Sequence, residues 1–176
     1  MRQDVSITVD VKWPVERVGA ILGGPAEVLF GQRPRPLDEP ATDFSHRLQV
    51  PVGLNGTVGY PAIVHVSRGV VGPHGAREVR VVPAGRTHFL PAFRGTVAAS
   101  AHGGWTRLVL DGAATVPFGI LLHHGRGRRS LEQSLTELVE SIAANVDAEL
   151  TREAKAEARR AALPIGSDYR HDDLIE

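Results

Sequence analysis

Apolar residues recur at Leu131, Leu135, Leu138, Ile142, Val146 and Leu150, with Glu132, Glu137, Glu140, Ala144 and Asp147 between them on the other side. Steps of three and four match one face of an α-helix, so the spacing predicts an amphipathic helix over 130–150. Ser130 and Gln133 have the spacing of a capping box, and no Gly or Pro interrupts the run. A helix of 21 residues is about 30 Å long and needs a broad apolar surface to lie on. The upstream chain supplies one.

Val5, Ile7, Val9 and Val11 alternate with Ser6, Thr8, Asp10 and Lys12, the period of a strand with one buried face. Pro14 suits a first helical turn, Val15, Val18, Ile21 and Leu22 form a stripe, and Gly23-Gly24 end it. A second short helix is expected from Pro25 to Phe30, stopped by Gly31, and QRPRPLDEPATD after it reads as irregular loop. From Phe44 onward the pattern is extended. Phe44, His46, Leu48, Val50 and Val52 share one parity before the turn at 53–56, and Tyr60, Ala62, Val64 and Val66 share one after it. Gly72-Pro73-His74-Gly75 makes a turn, Val79 and Val81 alternate with Glu78 and Arg80, and 84–92 reads as a crossing broken at Pro91. Phe93–Ala101 and Thr106–Val116 form the last hairpin, with Leu108, Leu110, Gly112, Ala114 and Val116 on one face.

The order predicts an α+β fold, in which a curved antiparallel sheet of six to seven strands wraps a long C-terminal helix. Residues 1–150 form the domain. The helical pattern runs on through 151–163 with alanines in place of large apolar residues, and 164–176 reads as a flexible acidic tail. Such an overhang either frays in solvent or packs on a second copy, which would make the protein a homodimer.

Composition narrows the function. At 176 residues, 42% hydrophobic and 23% charged, the chain fits one globular domain. Twenty basic residues balance 20 acidic ones, so the clustered positive excess that nucleic acid requires is missing. There is no cysteine, which excludes disulfides and thiolate chemistry. No stretch reaches the roughly 18 apolar residues of a membrane span, and the N-terminus lacks the apolar core of a signal peptide, so a cytoplasmic location is expected.

Chemistry is sparse. No HExxH, Gly-x-Ser-x-Gly, phosphate-binding or dinucleotide pattern occurs, and neither metal nor cofactor is expected. His123, His124, Arg126, Arg128 and Arg129 form a basic cluster that reads as a solvated loop before it reads as an anion site. His65 shares its face with Ser67 and is expected to be exposed, and Asp111 is expected to pair with Arg107 at the surface. His46 and Tyr60 carry the parity of the apolar face, where they either orient a ligand or send polar tips to water at strand ends.

VSITVDVKWPVERVGAIL and, more specifically, FLPAFRGTVAASAHGGWTRLVLDGAATVPFG resemble the START-like superfamily, also called SRPBCC or helix-grip. The second stretch is similar to the FLPxFxG, TRLxLxG and PxG run of an actinobacterial group without assigned function. The likeness spans about residues 3–148. The superfamily includes polyketide cyclases, lipid-transfer domains and the birch pollen allergen, and the resemblance implies an apolar cavity between sheet and helix. Ala114 stands where that group commonly has a large aromatic, which would enlarge the cavity, and HHGRGRR replaces the usual start of the terminal helix.

The expectation is a binder of a small apolar molecule, lipid or polyketide-like. Its ligand-binding residues are His46, Tyr60, Ala62, Val79, Val81, Phe93, Ala99, Leu110, Gly112 and Ala114. A cyclase- or dehydratase-like enzyme using His46 or Tyr60, and a dimerising interaction module, are the alternatives.

Overall fold

The computed structural model describes residues 2–32, 42–52, 56–85, 90–116 and 126–162. The proline-rich loop at 33–41, the first hairpin turn at 53–55, residues 86–89 of the expected crossing, His123 and His124, and the C-terminal tail lie outside those residues. Strand β1 (Arg2–Val11) leads into helices α1 (Val15–Gly23) and α2 (Ala26–Leu29). Strands β2 (Asp43–Val52), β3 (Gly56–Val66), β4 (Arg77–Pro83), β5 (Ala92–His102) and β6 (Trp105–Thr115) follow, and helix α3 (Arg126–Ala162) closes the chain. The sheet is antiparallel throughout, in the order β1-β6-β5-β4-β3-β2. Six strands therefore form among the described residues.

The two ends of the sheet, β1 and β2, both pack on α3, an arrangement that requires the sheet to curl around the helix. The predicted stripe supplies the contact, with Leu131, Leu135, Leu138, Ile142, Val146 and Leu150 all buried. They meet Val5, Ile7, Leu48, Val64, Val81, Val97, Leu108 and Leu110 in one apolar cluster. Each such side chain contributes about 1.5–3 kcal/mol by leaving water. Far along α3, Trp13 donates Nε1–H to Asp147 at 2.8 Å and Asn145 donates to the Leu29 carbonyl at 2.9 Å, which pins the helix to the segment after β1.

Two local expectations need correcting. Ser130 caps nothing: α3 already runs through 126–129, and the Ser130 carbonyl accepts the Ser134 hydroxyl at 2.9 Å inside the helix. Arg107 pairs with Asp10 of the adjoining strand at 3.0 Å, not with Asp111. Four residues along a strand is about 13 Å, too far for a side-chain pair on one chain. His65, on the outer face, is held by Asp43 at 2.6 Å. Beyond Leu150 the helix continues unbroken to Ala162, and Arg17 of α1 reaches Glu157 at 3.2 Å and Glu153 at 3.6 Å.

Arg77 opens β4 and is buried. Its Nε donates to the Leu22 carbonyl at 2.6 Å, one terminal nitrogen to Gly23 and Gly24, and the other to Ser67 and Arg68. The last turn of a helix leaves carbonyls without intrahelical donors, and here a guanidinium from another element satisfies them. Beside it, α1 sits backbone to backbone on the turn at Pro73–Gly75, because a Cβ at Gly19 would lie 3.0 Å from the His74 Cα.

Candidate functional site

Strands β2, β4 and β6 end, and β3 and β5 begin, at the same end of the sheet. On the inner face there, the β2–β3 register pairs Phe44 with Val64, His46 with Ala62, Leu48 with Tyr60, and Val50 with Val58. Cross-strand partners point to one side, so all eight belong to the face that α3 covers. Phe44, Leu48, Val50, Ala62 and Val64 are buried, but Tyr60 is 37% and Val58 47% exposed. An apolar surface faces inward and remains open.

The inner face carries its polar group one step deeper. His46 and Tyr60 are diagonal neighbours, each opposite the residue two along from the other. His46 Nε2 lies 3.1 Å from the Ser134 carbonyl of α3. A carbonyl only accepts, so Nε2 bears the proton and, in the neutral ring, Nδ1 presents a lone pair. Among the described residues Nδ1 has no partner. Ser134 is itself fully buried. Its hydroxyl accepts the Gln49 N–H at 2.8 Å and donates to the Ser130 carbonyl. Gln49 lies on an edge strand, so α3 occupies an N–H that would otherwise seek another strand. The one contact fixes helix, edge and imidazole together.

Two solved structures share this architecture. A protein from Thermus thermophilus is 17% identical, with 84% of this chain and 99% of that one covered at a TM-score of 0.50. Norcoclaurine synthase from Thalictrum flavum, solved with dopamine and hydroxybenzaldehyde, is 10% identical, with 86% of this chain and 88% of that one covered at a TM-score of 0.53. The chain has the helix-grip fold of START-like proteins. At these identities the likeness is one of fold, and neither a protein-family model nor a curated protein matches the sequence.

Within the helix-grip frame, the structure sorts the expected ligand-binding residues into two groups. His46, Tyr60 and Ala62 gather at the open end. Val79, Val81, Phe93, Leu110 and Ala114 keep at most 2% of their surface and Ala99 keeps 6%, all within the filled cluster under α3. The space over Gly112 is not empty, because the Phe93 ring lies across it and across Gly95. Two further residues belong with the open end. Val58 shares the parity of Tyr60, and Ser134 sits on the α3 stripe between Leu131 and Leu138, where a polar residue must find partners. A hollow of about 840 Å³ on the outer face, lined by Arg2, Asp4, Glu78, Arg94 and Asp111, is polar, and one of about 670 Å³ separates α1 from α3 near Ile21 and Leu150. Among the described residues no group of three His, Asp or Glu side chains could hold a metal ion, and no helix is long and apolar enough to cross a membrane.

Burial holds the His46 pKa below its ordinary value, against the opposing pull of the Ser134 carbonyl and the Glu137 charge. The unfolded chain then binds the extra proton first. Stability from this residue is complete above about pH 6.5, falls as the pH drops toward the lowered folded value, and levels off below it. The melting temperature should therefore fall between pH 7 and pH 5, and the fall should be shallower in His46→Gln. Equal slopes in the two proteins would show that the imidazole is as well solvated folded as unfolded.

Proposed function

We propose that the protein binds a small apolar molecule at the open end of its inner face, over Val58 and Tyr60 and beside His46. The exposure of two large inward-facing residues, on a face where their cross-strand partners are buried, carries this reading. Apolar surface left in water costs about 25 cal/mol per Å², so an occupant that covers it is favoured. A few polar groups in such a site fix orientation, and His46 is placed to do so. The filled middle of the sheet, from Val79 to Ala114, acts in this reading as the wall that positions the site.

The test uses the exposure itself. Val58→Asp and Tyr60→Asp change side chains that already meet solvent, so each variant should melt within a few degrees of the parent. Both together should abolish binding of an environment-sensitive apolar dye. Full dye binding by the double variant would move the site elsewhere. A cyclase- or dehydratase-like enzyme remains the second reading, since the unpartnered His46 nitrogen could take a proton from a bound substrate.

A further inference from the structure

The geometry points to a specific ligand polarity: the bound molecule carries a hydrogen-bond donor, and His46 selects for it. This rests on the binding reading above but goes beyond it, because an apolar surface alone does not distinguish a hydroxyl from an ether. The imidazole's Nε2–H is committed to the Ser134 carbonyl at 3.1 Å. Ser134 cannot swing away, because its buried hydroxyl is held by the Gln49 N–H and the Ser130 carbonyl. A ring turned to offer its proton to a ligand would give up that hydrogen bond, while the Ser134 carbonyl would keep only the N–H of residue 138 within α3. What remains for a ligand is the Nδ1 lone pair, an acceptor.

Tyr60 does not supply the opposite preference, since its hydroxyl both donates and accepts and rotates to suit. A ligand with a hydroxyl or N–H within reach of Nδ1 gains a hydrogen bond. An isostere with only an acceptor there meets lone pair with lone pair, which is costly in a half-buried site. The selected class is an apolar molecule with a donor group at one end.

Three probes of matched size decide this. Naphthalene, 1-naphthol and 1-methoxynaphthalene share an apolar body and differ in offering nothing, a donor or only an acceptor. At pH 8 the parent should bind 1-naphthol about tenfold or more tighter than 1-methoxynaphthalene, with naphthalene between them. In His46→Leu the three affinities should converge. If His46→Leu does not fold, His46→Phe provides the same comparison, because its ring fills the place of the imidazole and carries no nitrogen. Nitrogen-15 spectra of the parent should show the Nε2–H tautomer for His46. If 1-naphthol and 1-methoxynaphthalene bind the parent equally, or if their ratio survives in both variants, His46 does not set polarity, although the binding reading stands. If naphthalene does not bind the parent, the binding reading itself fails.

Discussion

Arg77→Met is expected to destabilise the protein by about 3–5 kcal/mol, the cost of removing one partner from a buried charged network. Against a total of about 5–15 kcal/mol this should lower the melting temperature by about 10 °C or more. Five main-chain carbonyls accept from the guanidinium: Leu22, Gly23 and Gly24 at the end of α1, and Ser67 and Arg68 after β3. Methionine fills most of the volume and leaves all five short of a donor. The acidic Glu27 lies close enough to interact with the Arg77 charge, so the alternative explanation is that charge alone matters. Arg77→Lys separates the two. Lysine keeps the charge but offers three donors from one point, where the carbonyls need a planar fork reaching two segments. It should recover less than half of the lost stability in urea denaturation. Full recovery would assign the effect to charge, and a methionine variant within about 1 kcal/mol of the parent would show that water replaces the fork.

None of this is legible in the chain. Arg77 stands in a strand next to Glu78, where periodicity gives it no distinction, and its acceptors include main-chain atoms more than fifty residues away. Periodicity reports which face a residue takes, and on that question it is informative. The α3 stripe, the strand parities, the Gly23-Gly24 stop and the placing of His46 and Tyr60 on the inner face all follow from spacing of two or of three and four. What covers that face is set by where α3 lies, which no local pattern contains. So Tyr60 and Val81 have equal claims on parity, yet Tyr60 is open and Val81 fully buried. Ser130 misleads for a related reason: a Ser-x-x-Gln spacing caps a helix only where the helix begins, and α3 already includes Arg126. Ser134 is legible in principle, as a hydroxyl on an otherwise apolar stripe, but its partners belong to an edge strand remote in sequence.

Gly112 shows how a small residue on an inner face divides between two meanings. Beside Ala114 it suggests spare volume, yet the structure gives it a different task. Gly112 faces Gly95 across β5 and β6, and a Cβ at 112 would overlap the Gly95 Cα and the Arg94 carbonyl oxygen and lie 2.7 Å from the Phe93 Cζ. The two glycines let the strands approach closely and let the Phe93 ring close over the gap. Gly112→Ala should then cost about 3 kcal/mol or more, because the obstruction is main chain in the centre of a sheet and cannot turn aside. Adding Phe93→Ala tests that reasoning. If the ring were the obstacle, the double variant would be more stable than the sum of the two losses predicts. With main chain as the obstacle, the two losses should add, or nearly so. An alanine variant with an unchanged urea midpoint would mean that the strands part at no cost, and the inner face over β5 and β6 would then have room for a ligand that the present packing denies it.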